Sequence, residues 1–301
     1  MLCITTTAAV IERMRAARDI ALSAYVLRSQ LMCHALESAA QKGAHVAVRL
    51  EASPYADKYG RLAQLNRDTV AKLRAAGVDA RLVDRGGRHP NHMKAALVDG
   101  LAFLDDRNWP LDRHNTVICD NDPRDVRAVG NAMQGKIAGR AAIAVSKAAA
   151  LAEEADVLTD APRTQMIRVE TESFTSGTAP YVAIKALAKR GVRVELIVSK
   201  GDLNPRELGV LRSLASYGVA IRKTRTAEKL AVTGERAWIG SANATWGGRD
   251  QVDWGLRVDD PRLREALKKR FDSTWMHATR LELRKAKERA RVFVRNLEHI
   301  G

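Results

Sequence analysis

Asn91-His92-Met93-Lys94-Ala95-Ala96-Leu97-Val98-Asp99-Gly100 is the stretch on which the reading of this sequence turns. Its alternation and its apolar run predict a β-strand that ends at a turn glycine. In a strand, residues i and i+2 point to the same side, so His92 and Lys94 project together. Asp99 follows the apolar run at the strand end. An imidazole beside an ammonium suits attack on a phosphodiester: the ring makes a covalent phosphoenzyme, and the ammonium offsets charge on the non-bridging oxygens. The plain alternative for His92 is a histidine satisfied in a turn or in the core.

Working outward, the stretch has a second copy. Lys94 to Asn108 aligns without a gap on Lys229 to Asn243. Upstream, Ala39 to Val46 resembles Ala186 to Val194, in each case a helix end, a glycine and an alternating strand. Ala75-Ala76-Gly77-Val78 matches Ser216-Tyr217-Gly218-Val219, and Asn121-Asp122-Pro123 matches Asp259-Asp260-Pro261. The order within each half is helix, strand, helix, strand, motif, strand, helix. That order predicts an α/β fold with a mixed sheet flanked by helices in each of two repeats. The expected units are residues 1–150, residues 151–279 and a basic C-terminal helix over 280–301, whose apolar positions Ala286, Ala290, Phe293, Leu297 and Ile300 mark one face.

With those residues in hand, the chain resembles the phospholipase D superfamily over about residues 10 to 280. That family carries His-x-Lys-x4-Asp followed by Gly-Ser-x-Asn. The first repeat keeps His92, Lys94 and Asp99, and the second keeps Gly240-Ser241-Ala242-Asn243. The resemblance implies a duplicated α/β sandwich with a pseudo-two-fold axis and a two-step reaction needing no metal or other cofactor. One histidine attacks phosphorus; the other protonates the leaving oxygen and later activates water or an alcohol. The implied catalytic residues are His92, Lys94, Asp99 and Lys229, and the implied phosphate-binding residues are Lys94, Asn108, Lys229, Ser241 and Asn243. A carboxylate after the Asn element serves a histidine in this family. Asp253 and Asn115 hold that position in the two repeats, so Asp253 is expected to orient His92 across the axis.

The second motif departs from the pattern: Ala227 stands where the second histidine belongs and Gly234 where the aspartate belongs. The first repeat has Asp105-Asp106-Arg107-Asn108 in place of Gly-Ser-x-Asn. His89 and His114 are the nearest alternative proton donors in sequence, and pairing of two chains through their His92 sites is a further route. Because the two repeats already pair in cis, a monomer is expected.

Composition bounds the rest. The 301 residues, 46% hydrophobic, can bury a sizeable core. No apolar run is long enough to span a bilayer, and the start of the chain lacks the features of a signal peptide. Cys3, Cys33 and Cys119, an odd number without metal-ligand spacing, are expected to be reduced thiols in a cytoplasmic protein. The net charge of +15 favours polyanionic partners, although an Ala- and Arg-rich composition accounts for part of it. Three functions are weighed on this basis. The favoured one is a phosphodiesterase acting on nucleic acid. The others are a phospholipid hydrolase or transferase at anionic lipid, and a catalytically weak or inactive relative that binds phosphate-bearing polyanions.

Overall fold

The computed structural model describes residues 2–55, 57–84, 91–112, 115–136, 141–162, 165–199, 201, 203–225, 227–247 and 250–283. The first repeat runs β1 (Leu2–Thr5), α1 (Thr7–Ala16), β2 (Asp19–Ala24), α2 (Gln30–Gln41), β3 (His45–Glu51), α3 (Arg61–Ala75), β4 (Asp79–Val83), β5 (Ala95–Val98), β6 (Leu101–Asp105), β7 (Val117–Asp120) and α4 (Pro123–Met133). The second runs β8 (Ile143–Ala144), α5 (Lys147–Thr159), β9 (Ile167–Thr171), α6 (Ala179–Lys189), β10 (Val194–Ser199), α7 (Pro205–Ala215), β11 (Ala220–Thr224), β12 (Leu230–Val232), β13 (Ala237–Gly240), β14 (Gly255–Val258), α8 (Pro261–His277) and β15 (Thr279–Arg280).

The two sheets have the same strand order. The first is β1-β7-β6-β5-β2-β3-β4, and the second is β8-β14-β13-β12-β9-β10-β11 with β15 added at the far edge. In each sheet three strands run parallel (β2, β3, β4 and β9, β10, β11), and the motif strands β5 and β12 join them antiparallel. Local chemistry explains the helix ends. Asp122 and Asp260 cap α4 and α8 through their side chains, each followed by a proline at the first helical position. Asn204 and Glu207 close a reciprocal capping box on α7. The helix-to-strand turns at Gly43 and Gly191 need φ of +90° and +81°, which only glycine adopts freely.

Each sheet has one core under its own helices, with α1–α3 over the first and α5–α7 over the second. A third core lies between the sheets. Met93, Leu104 and Ile118 of the first repeat share it with Ile197, Leu230, Ile239 and Trp254 of the second, and α4 and α8 add Val129 and Phe271. The repeats are therefore fused through apolar surface, with the motif strands at the seam. The residue-150 boundary read from sequence falls inside α5, and the second sheet already begins at Ile143.

Two expectations need correction. Cys3 and Cys119 are joined in a disulfide, not reduced thiols; β1 pairs with β7 in a register that sets them directly opposite, with Cα atoms 5.0 Å apart. Cys33 is the buried free cysteine. The C-terminal helix expected from residue 280 does not begin there: Arg280 pairs with Arg222 in β15, because the chain leaves α8 in an extended conformation at Ala278. Residues 284–301 lie outside the described residues. Among the described residues no helix is long and apolar enough to cross a membrane.

Candidate active site

His92 sits on the short segment that leads into β5, and both repeats hold it. Its backbone N–H donates to the Val252 carbonyl at 3.0 Å, within a parallel bridge between Asn91 and Val252. Asn91 is anchored in turn: its N–H donates to Glu51 at 2.6 Å and its amide to Ser23 at 2.8 Å. The side chain is 12% exposed, so part of it reaches solvent. Its Nδ1 lies 2.7 Å from Asp253 Oδ1, on a carboxylate that is itself fully buried. A carboxylate on Nδ1 fixes the tautomer that leaves the Nε2 lone pair for attack. Asp253 is held by the Ser241 hydroxyl, which donates at 2.7 Å and accepts from the Trp254 N–H at 3.0 Å. Ser241, expected to bind phosphate, is thus committed to orienting Asp253.

Lys94 Nζ lies 2.9 Å from His92 Nε2 and donates to the His92 carbonyl at 2.7 Å. The Tyr25 ring meets the imidazole edge to face, with centroids 4.8 Å apart, and its hydroxyl donates to the Tyr55 carbonyl. The electrostatics follow from this enclosure. Burial and then the Lys94 ammonium lower the His92 pKa, and Asp253 only partly restores it. Burial pushes Lys94 down to about 7 despite Asp253. Burial would raise Asp253, but His92, Lys94 and the Ser241 hydroxyl hold it well below the usual carboxylate range.

Asp99 does not join this group. It lies at the opposite end of β5, on the order of 20 Å from His92 at strand rise, and is exposed. Its Oδ1 accepts the Arg18 and Asp19 N–H groups at 3.0 and 2.9 Å, so it ties the β5–β6 turn to the start of β2. The catalytic role expected for it is replaced by this structural one.

The second half meets the first from β12. Lys229 Nζ is buried, 3.0 Å from Glu172 Oε2 and 3.0 Å from the Asp106 carbonyl. Burial works against its charge, but Glu172 and Asp106 outweigh that and raise its pKa. Asn243 Nδ2 donates to Glu172 at 3.3 Å, while its buried Oδ1 has no partner among the described residues. Asn108 has φ of +54° and accepts from the Val26 N–H. Ala227 is fully buried. Where His92 pairs with Asp253 in one half, Asn115 accepts from Arg107 Nε at 3.0 Å in the other. His89 and His114 lie outside the described residues.

Sequence reasoning missed Tyr25, Arg107 and Glu172. The pairing of β2 with β5 and of β9 with β12 sets Ser23 opposite Ala95 and Glu170 opposite Leu230, which makes Tyr25 and Glu172 counterparts two residues further on. That correspondence lies outside the gap-free alignment, so no motif marked it. Also missed was a buried acidic layer behind the site. Glu228 accepts from Thr116 and Arg270 and donates its N–H to Glu170, while Asp106 accepts the Lys229 N–H. Burial raises the pKa values of Asp105, Asp106, Glu170 and Glu228, and repulsion from an acidic neighbour adds to it for Asp105, Asp106 and Glu170.

The chain and its fold are similar to known proteins. Residues 157–275 match the family model described as cardiolipin synthase, PLD-like domain. No curated protein matches the sequence. The fold is similar to that of phosphatidylserine synthase from Haemophilus influenzae, with a TM-score of 0.66 at 12% identity, covering 99% of this chain and 93% of that one. It is also similar to polyphosphate kinase from Porphyromonas gingivalis, with a TM-score of 0.62 at 16% identity. There 89% of this chain is covered, but it spans only 46% of the kinase.

Proposed function

We propose that this chain, with its duplicated fold and one fully furnished half-site, is a metal-independent phosphodiesterase of the phospholipase D type that works through a phosphohistidine at His92. The observation that carries this reading is the Asp253–His92–Lys94 cluster: an imidazole held at Nδ1 by a buried carboxylate, with the Lys94 amine against the ring and part of the side chain reaching solvent. In the first step the Nε2 lone pair attacks phosphorus and the bond to the leaving oxygen breaks. Positive charge that develops on the ring is balanced by Asp253. Lys94 and Lys229 receive the non-bridging oxygens, and Asn108 and Asn243 donate their amide hydrogens to the same group. In the second step water, or an acceptor alcohol, displaces the histidine from phosphorus.

Nucleic acid is the favoured substrate, supported by the net charge of +15. A phospholipid reading has a specific observation of its own. Trp246, half exposed just beyond Asn243, and Val182 border an apolar cavity of about 550 Å³ between α5 and α6. Tyr55, 65% exposed, approaches Gly247 beside it. Incubation of the protein in EDTA with plasmid DNA, single-stranded DNA and anionic vesicles separates the readings. The expected result is DNA cutting that His92→Ala abolishes. Headgroup release from vesicles would transfer the activity to phospholipid. Salt-sensitive binding without turnover of either would contradict an enzyme.

A further inference from the structure

A histidine that attacks an alkyl phosphodiester needs a partner to protonate the leaving oxygen, and Ala227 removes the partner the second repeat would supply. Three features show what stands there instead. By strand register, Glu172 is the counterpart of Tyr25, the side chain whose ring packs on His92. It therefore occupies, in the second half, the wall against which the absent imidazole would have packed. Its carboxylate is 32% exposed, pairs with Lys229 at 3.0 Å and accepts from Asn243 at 3.3 Å, so it sits among the residues that would hold phosphate. It also opens on a cavity of about 510 Å³, lined by Tyr25, Arg28, Arg107, Asn108 and Asp112.

We propose that Glu172 is the proton-transfer group that works opposite His92 in place of the missing second histidine. This rests on the phosphohistidine reading above. Lys229 holds the carboxylate ionised in the unliganded protein, against burial, with smaller help from Lys94. A bound phosphodiester brings its own negative charge to Lys229, which loosens that pair, and Glu172 takes up a proton from solvent. As the His92 Nε2–P bond forms and the P–O bond breaks, Glu172 gives this proton to the leaving oxygen. In the second step the Glu172 carboxylate takes a proton from the attacking water. The new P–O bond forms, and the P–N bond breaks with its electron pair returning to His92. Arg107, whose Nε donates to Asn115 as His92 pairs with Asp253, lines the same cavity and keeps positive charge on its wall.

The test separates leaving groups that need a proton from those that do not. With bis-p-nitrophenyl phosphate, whose nitrophenolate departs unassisted, Glu172→Gln should keep the initial burst and then stall as phosphohistidine accumulates. With a thymidine dinucleotide, whose alkoxide needs a proton, turnover should fall by about 10²–10⁴-fold, the usual span of general acid–base catalysis. Glu172→His, which supplies an imidazole from the same backbone position, should recover part of that loss. Equal loss of the burst and of dinucleotide turnover in Glu172→Gln, with no recovery in Glu172→His, would overturn the assignment. So would wild-type dinucleotide turnover in Glu172→Gln. If the wild type itself gives no burst beyond that of His92→Asn, the phosphohistidine reading fails first and this inference falls with it.

Discussion

Asp253 shows how much a single residue can decide in this site. It is fully buried, yet holds its charge because the His92 ring, the Lys94 ammonium and the Ser241 hydroxyl converge on it. Asp253→Asn preserves shape but removes the charge that balances an imidazolium. The expected loss in kcat is roughly 10²–10⁴-fold with little change in KM, and circular dichroism should show the fold retained. Asp99→Ala should behave in the opposite way. It removes an acceptor from two backbone N–H groups at a turn, which should cost roughly 1 kcal/mol in urea unfolding while leaving kcat within experimental error. Lys94 adds a pH prediction. Burial lowers its pKa to about 7, below the ~10.4 of an unfolded lysine. Between those values the unfolded chain holds a proton that the folded chain has lost, so this group's contribution to stability rises with pH across that window. Lys94→Met should therefore be more stable than the wild type at pH 6, with the gap narrowing toward pH 10. An unchanging gap in urea midpoints would contradict the burial account.

Among the elements, β5 and β12 carry most of what the sequence made legible. The strand expected from residue 91 begins only at Ala95, so His92 and Lys94 meet on the segment that leads into β5, while the gap-free match to β12 exposed Ala227 and Gly234 as replacements. What stayed hidden came from β2 and β9, the strands beside them. Tyr25 and Glu172 are unlike residues at corresponding positions, so no sequence match links them; only strand register does. The disulfide escaped for a similar reason, since the pairing of β1 with β7 depends on contacts 116 residues apart. The acidic layer escaped because Asp106, Glu170 and Glu228 lie on three different strands or their flanks and meet only after the sheets fuse. That layer carries its own prediction. Carboxyls whose folded pKa is raised release protons later than in the unfolded chain, so their contribution to stability is full below ~4 and is lost as pH rises through the folded values. Glu170 is pushed up to about 8, chiefly by burial and then by Glu228. The stability advantage of Glu170→Gln over the wild type should therefore grow from pH 5 to pH 8 in urea titrations, and a constant advantage would refute it.

At the scale of the molecule, the proposed reaction divides one job between the two repeats. In that proposal the first supplies the nucleophile, and the second supplies Asp253 to orient it and Lys229 and Asn243 to receive the phosphate. Neither half is complete, and the inter-sheet core explains why neither is expected to stand alone. Residues 1–142 expressed by themselves would expose Met93, Leu104, Ile118 and Val129, and should aggregate or stay molten by size exclusion and near-ultraviolet circular dichroism. The duplicated α/β architecture was readable from repeated helix–glycine–strand units. The way the halves meet was not, because buried contacts across the seam leave no periodic mark. The most direct measurement is to quench the protein during reaction with bis-p-nitrophenyl phosphate in EDTA and map covalent phosphate by mass spectrometry under conditions that preserve phosphohistidine. The account predicts phosphate on His92 in the wild type and more of it in Glu172→Gln. Turnover with no label on His92, or the same label in His92→Asn, would contradict it.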